Sequence, residues 1–291
     1  MKGERDVYRD MVKELRKQLR LESSVLLIPG NELLDRERGV REVEADVFHV
    51  EGLDGFVVFR AAIPVEQQLV LARRCLADFS SAEYTNLTNL YGPGDGLLWQ
   101  RAVETKSFDQ FDKLRWVNIG VPYDWTARKY KLSAEDEKIA DLFPRDVHDL
   151  LSVFAERSGY GPFQSETAII NFYHSSSQMG AHVDDAEFAL SKPVVSASLG
   201  APAIFLIGGE TKETKPIALL LLSGDVVVMG GSCRKSYHAV ACIRPDLDAA
   251  LNQRLQACDI GSDWNDKADV INYLCKSRIN VNVRQIHATP V

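Results

Sequence analysis

The chain is predicted to be mainly β with flanking helices, and three observations carry that prediction. From residue 166 onward, short β-branched or apolar runs recur between Gly, Pro and Ser turns, at 166–173, 181–184, 194–199, 203–207, 217–222, 225–229, 237–243 and 279–286. Such spacing reads as a sandwich or barrel. Helical periodicity is confined to segments outside those runs. No internal repeat, low-complexity stretch or linker divides the 291 residues, which a single β-rich domain can accommodate.

Taken in order, residues 4–21 read as a helix with Val7, Met11, Val12, Leu15 and Leu19 at helical spacing. Its other positions mix basic and acidic residues, seven and five across 1–22, whereas a cleaved transit peptide is poor in acids. The helix is therefore expected to dock on the domain, an arm toward a substrate being the lesser alternative. Residues 56–62 are strand-like, and Pro64 opens a helix reaching about residue 79. The stretch 80–113 is rich in turn residues and receives no assignment. Residues 116–120 form a strand feeding an aromatic loop, and 144–157 an amphipathic helix stopped by Gly159 and Gly161. Two helices, 246–258 and 264–276, fill an interruption of the strand series at 245–277.

Composition narrows the function. A net charge of −7 argues against a protein that coats long nucleic acid but allows a local grip on a few phosphates. Three basic runs qualify: Arg73-Arg74, Arg128-Lys129-Tyr130-Lys131 and Arg234-Lys235. The second is favoured because Trp125 and Tyr130 add stacking surface for unpaired bases. No apolar run approaches the ~20 residues of a membrane helix. The five cysteines form no C-x-x-C pair, which fits a reducing, intracellular compartment without a zinc site or disulfide frame.

The chemistry centres on Asn171-Phe-Tyr-His-Ser-Ser-Ser-Gln-Met-Gly-Ala-His-Val-Asp-Asp185. On an extended strand His182 and Asp184 point to one face, so imidazole and carboxylate converge on one ion. Together they make two thirds of the facial triad of non-haem iron. H-x-D alone is a weak signal, since most chance occurrences are surface turns. His238, 54 residues after Asp184, follows a turn, a β-branched strand and another turn. The segment Arg278-Ile-Asn-Val-Asn-Val-Arg284 then places Arg278, Asn280, Asn282 and Arg284 on one face of a strand. Solvated exposure would explain such a face, and so would grip on a dianionic carboxylate, for which an arginine fork is suited.

The order N-x-Y, H-x-D, H, R-x-N-x-N-x-R resembles the AlkB family of iron(II)/2-oxoglutarate dioxygenases across roughly residues 48–287. Arg115-Trp-Val-Asn-Ile-Gly, Ala203-Ile-Phe-Leu-Ile-Gly-Gly209, Ser223-Gly-Asp and the insertion at 245–277 are most similar to its homologue 1 branch. The resemblance implies a double-stranded β-helix (jelly-roll) core at 166–291. It implies supporting helices and a substrate-recognition region at 48–165 of the same domain, after an N-terminal helix and extension at 1–47. It implies ferrous iron on His182, Asp184 and His238, with dioxygen and 2-oxoglutarate as co-substrates. Arg278, helped by Tyr173 and Asn280, would take the distal carboxylate of 2-oxoglutarate. Asn171 and Arg284 would contact the end nearer the metal, and Arg284 would also hold Asp184.

The substrate implied is N-methylated adenine in DNA or tRNA, unpaired or distorted, with Trp116, Tyr123, Trp125, Arg128, Lys129 and Tyr130 contacting it. Oxidation of tRNA methylcytosine or of protein methyl-lysine is the alternative. A monomer in the nucleus, mitochondrion or cytoplasm is expected. Trp116 would lie over the base, or would be a buried core tryptophan. Leu199 and Ile170 would be pocket walls or core. One departure stands out: repair-type relatives carry a carboxylate two residues after the iron aspartate, where this chain has Ala186. Base selectivity must then come from elsewhere.

Overall fold

The computed structural model describes residues 6–21, 40–44, 46–131, 143–261 and 264–287. Residues 22–39, within the expected N-terminal extension, lie outside these. Helix α1 (Val7–Leu21) is followed by β1 (Val40–Glu44), β2 (Val47–Val50), β3 (Phe56–Phe59) and α2 (Val65–Arg73). Next come β4 (Tyr84–Thr85), α3 (Asn86–Tyr91), α4 (Leu98–Thr105), β5 (Trp116–Gly120), β6 (Tyr123–Asp124), β7 (Lys129–Tyr130) and α5 (Arg145–Ala155). The remainder runs β8 (Thr167–Tyr173), β9 (Met179–His182), β10 (Val194–Gly200), β11 (Ala203–Ile207), β12 (Ile217–Leu221), β13 (Val226–Met229) and β14 (His238–Ile243). It closes with α6 (Leu251–Ala257), α7 (Lys267–Lys276) and β15 (Arg278–Arg284).

A nine-stranded antiparallel sheet, ordered β1-β2-β3-β13-β10-β15-β8-β5-β4, faces a four-stranded sheet, β12-β11-β14-β9. These are the two sheets of a jelly roll, the larger extended at both edges. Alternation along each strand sorts the side chains into layers. Ile170, Phe172, Leu199, Ile279, Val281 and Val283 turn outward to the helices and pack with residues such as Leu69, Leu76, Leu151 and Leu274. Phe56, Val58, Phe205, Leu219 and Val227 fill the space between the sheets. On the far side of the smaller sheet, Ile204, Leu206 and Leu220 are covered by Tyr8 and Leu15 of α1, with Met11 and Val12 at the margin. The Tyr8 hydroxyl donates to the Tyr237 carbonyl, so α1 docks as a strut.

Several boundaries differ from the sequence expectation, for local reasons. The helix expected to residue 79 is α-helical only to Arg73, then continues as a π turn at Arg74–Asp78 and a 3-10 turn at Phe79–Ser81. The unassigned 80–113 stretch holds β4, α3 and α4, short elements whose apolar periodicity is too brief to read. Thr85 caps α3 by accepting from Leu87 N and Thr88 N at 3.1 and 3.0 Å. The strand expected at 181–184 is β9, which starts at Met179 and stops at His182. Asp184 is therefore carried by the irregular chain beyond it. Gly120 ends β5 with φ +74°, and a Cβ there would stand 2.2 Å from the Glu166 carbonyl, so only glycine lets the chain turn into the β6–β7 hairpin. Among the described residues, no helix is long and apolar enough to cross a membrane.

Candidate active site

His182 ends β9 and His238 begins β14, and the two are register partners across that pairing. Their rings stand 4.3 Å apart, centroid to centroid, at 54°. His182 Nδ1 donates to the Gly180 carbonyl at 2.9 Å and His238 Nδ1 to the Ser236 carbonyl at 3.1 Å. Each bond fixes the tautomer and leaves the Nε2 lone pair free. Both Nε2 atoms lie 4.0 Å from a carboxylate oxygen of Asp184. One ligand atom from each of the three falls within 4.8 Å of the others, so the three converge on one point where a metal ion could be held. The sequence expected the strand itself to aim both residues; the convergence comes instead from the bend after His182.

A lattice of buried charge holds that bend. Arg284 Nη2 donates to Asp184 Oδ2 at 2.7 Å, and its Nε lies 3.3 Å from Glu187. Glu187, itself buried, receives Arg234 at 2.5 Å and the Tyr130 hydroxyl at 2.5 Å. Arg234 also donates to the Asp184 carbonyl. Burial works against ionisation of Asp184, but the Arg284 guanidinium, with both imidazoles and Arg234, outweighs it and holds the carboxyl far below the usual carboxylate range. Burial, reinforced by the His182 ring, lowers His238 to about 4, which keeps its imidazole neutral and fit to ligate near pH 7.

The polar face of β15 is not solvated: Arg278 and Arg284 are 2 % and 4 % exposed. Arg278 donates to Ser198 Oγ at 2.7 Å, while its Nε and Nη1 have no partner among the described residues. Burial lowers it to about 10, against the opposing pull of Tyr173 and Asp225. A buried guanidinium with two orphaned donors is costly, and a carboxylate would complete it. The site thus fits both the metal and a dianionic co-substrate. Tyr173 is the cross-strand partner of Arg278 and, with Asn171 and Asn280, lines a cavity of ≈ 710 Å³ shared with His182, Asp184 and His238. Asn280 is largely committed to the protein. Its Nδ2 donates to Ser196 Oγ and the Ala197 carbonyl at 2.9 Å, and its Oδ1 accepts from Asn282.

At the mouth, the β6–β7 hairpin is pinned by Asp124, whose Oδ1 accepts from Thr126 N and Ala127 N at 2.9 Å. Tyr123, Trp125 and Arg128 line the cavity. Trp116 does not line it, nor is it a buried core residue: half-exposed beside Asn171, it packs 4.7 Å from Trp125. Tyr130 lines the cavity from a buried position, its hydroxyl held by Glu187, so it supports the hairpin instead of offering an open stacking face. Lys129 is exposed and outside the cavity lining.

The three arginines of the other two basic runs are spent on ion pairs within the chain, and Lys235 is exposed outside the cavity lining. Arg73 pairs with Asp266 at 2.8 Å, Arg74 with Asp78 and Asp146, and Arg234 is buried in the lattice above. Leu199 and Ile170 belong to the helix-side core, and the wall of the cavity is Ile169. Ile169 shares the face of Asn171, a signal that strand alternation carries. Glu187 and Lys212 were not legible as lining residues because nothing local marks which loop closes on the cavity, and Phe205 of β11 and Met229 of β13 were not because both strands are apolar and buried throughout. Ala186 packs against the small apolar cluster of Val121, Tyr130 and Ile286.

Comparison with known proteins identifies relatives of this chain. The model of the 2OG-Fe(II) oxygenase superfamily matches residues 55–284. A protein of Schizosaccharomyces pombe named tRNA demethylase abh1 is 32 % identical over 266 residues, covering 84 % of this chain and 83 % of its own length. A protein of Arabidopsis thaliana named DNA N(6)-methyladenine demethylase ALKBH1A is 30 % identical, covering 85 % and 81 %. The solved structure of OsALKBH1 superposes with a TM-score of 0.51 at 20 % identity, over 79 % of this chain and 98 % of that one, a likeness of fold.

Proposed function

Because the chain belongs to the 2OG-Fe(II) oxygenase superfamily and, within it, to the AlkB family, we propose that it oxidatively demethylates N-methyladenine in DNA or tRNA. The observation that carries this reading is one cavity joining a converged His-Asp-His group, a polar floor of Asn171, Tyr173 and Asn280, and an aromatic, cationic lip, with the under-partnered Arg278 behind that floor as the register partner of Tyr173. His182, Asp184 and His238 would hold ferrous iron on one face, leaving the opposite positions open. Arg284 keeps Asp184 ionised and aimed. Arg278, with the Tyr173 hydroxyl nearby, would receive the distal carboxylate of 2-oxoglutarate, and Asn171 would contact its metal-side end. When bound, iron and 2-oxoglutarate supply an oxidant from dioxygen, giving succinate and carbon dioxide and releasing the oxidised methyl group as formaldehyde. Tyr123 and Trp125 would flank an extruded base while Arg128 meets its phosphate.

The relatives named as a tRNA demethylase and as a DNA N(6)-methyladenine demethylase support a nucleic-acid substrate. The test is product detection. With iron(II), 2-oxoglutarate and a methylated tRNA or DNA, the chain should release formaldehyde and convert the methyladenine to adenine by nucleoside mass. Formaldehyde released only from a methyl-lysine peptide, with every nucleoside mass unchanged, would overturn it.

A further inference from the structure

Opposite the β6–β7 hairpin, the loop between β11 and β12 places one side chain on the same cavity, that of Lys212. The loop is held at its start and by a turn within it. Gly208 N donates to the Tyr237 carbonyl at 3.1 Å, and Tyr237 N to the Gly209 carbonyl at 2.9 Å. Thr214 N donates to the Thr211 carbonyl at 3.2 Å, closing a turn around Lys212, and the two threonine hydroxyls meet at 3.2 Å. The Lys212 ammonium lies over the Tyr237 ring, 5.5 Å from its centroid. Tyr237 in turn is tied to α1 through the Tyr8 hydroxyl and immediately precedes His238. This lysine is half-exposed and set against the ring of the residue that precedes His238.

We propose that Lys212 is a second phosphate contact, which receives a backbone phosphate flanking the reacting nucleotide on the side away from Arg128. The proposal rests on the demethylase reading. Arg128 comes off the β6–β7 hairpin that follows β5 of the large sheet and Lys212 off the β11–β12 loop of the small sheet, so two separate elements each bring a cation to the cavity. A strand that turns one base into the cavity carries a phosphate on each side of that nucleotide, and the two lips answer both. The acids nearby do not cancel this arrangement. Glu210 and Glu213 flank Lys212 in sequence but do not line the cavity, and Glu187 is consumed by Arg234 and Arg284. Exposed Asp185 does line it and would steer phosphate away from the middle of the mouth, toward the two cationic lips.

The experiment measures anisotropy of a short single-stranded oligonucleotide carrying one N6-methyladenine, bound by the anaerobic iron(II)/2-oxoglutarate form across a salt series. Each phosphate contact on a single strand contributes about 0.7 to the slope of log affinity against log salt. K212Q should weaken binding roughly threefold to tenfold and lower that slope by about 0.7. K212R, which keeps the charge, should restore the slope, an effect that a merely structural lysine would not produce. A K212Q slope equal to wild type, or one lowered equally by K212R, overturns the Lys212 assignment and leaves the demethylase reading standing. A wild-type chain that binds no methylated oligonucleotide overturns both.

Discussion

Arg284 Nη2 stands 2.7 Å from Asp184 Oδ2, joining the last residue of β15 to a carboxylate in the irregular chain after β9. The two are 100 residues apart in sequence, and β9 supplies no ladder partner to hold Asp184 in place. An interaction that orients a ligand from outside it typically changes metal affinity about 10–100-fold. Arg284→Lys keeps one charge but loses the fork that also reaches Glu187. It should weaken iron(II) binding within that range in a metal titration, and unchanged affinity would mean the backbone alone aims Asp184.

Asp184→Ala removes a ligand while leaving Arg284 its contact to Glu187. The fold should persist by circular dichroism, and 2-oxoglutarate consumption should cease. Parental turnover in this variant would break the metal assignment.

Arg278 has two buried nitrogens without partners, so in the co-substrate-free protein it costs stability that only a ligand repays. Arg278→Met should therefore lose 2-oxoglutarate affinity by roughly tenfold or more, at about 1.4 kcal/mol per decade. The free protein's Tm should stay level or rise. In wild type, 2-oxoglutarate at 100 times its Kd should add about 2.7 kcal/mol, and in a variant bound tenfold more weakly the same concentration should add about 1.4 kcal/mol. A fall in the free protein's Tm would show that the guanidinium is already satisfied.

What could be read from sequence follows the range of the interactions. Period-two alternation exposed the polar face of β15, because alternate residues on a strand obey a local rule. The same rule misplaced Asp184, since the strand stops at His182 and long-range pairing with Arg284 takes over. The Arg234-Lys235 run qualified as a grip on phosphates, yet Arg234 is 4 % exposed and serves Glu187. Likewise Tyr130 looked like a stacking ring, and a partner 57 residues away turned it inward. Charge and aromaticity are visible in a sequence; their partners are not.

Arg234→Ala would leave Glu187 with one fewer cation in a desolvated place. Removing one partner of a buried ion pair costs about 3–5 kcal/mol. Chemical denaturation should show a loss of that size, together with weakened metal binding as the bend at Asp184 loosens. A loss near zero, with a drop in nucleic-acid affinity instead, would return Arg234 to the surface role its sequence suggested.

The hairpin predicts which substrate form is taken. Trp125 is 41 % exposed and rests on Trp116 at 4.7 Å, so the aromatic lip is formed before any base arrives. A lip of this kind rewards a nucleotide that is already unstacked. With a net charge of −7, the protein has no broad positive field to offset the few kcal/mol that opening a paired duplex requires. One methylated sequence offered single-stranded, bulged and fully paired should be turned over fastest in the first two forms. Neutralising Arg128, Lys129 and Lys131 together should raise KM for all three and flatten their salt dependence. Equal turnover of the perfect duplex would mean that the chain opens DNA actively, and a wedge would then have to be sought among the exposed apolar residues Leu90, Tyr91 and Leu97 around α3 and α4.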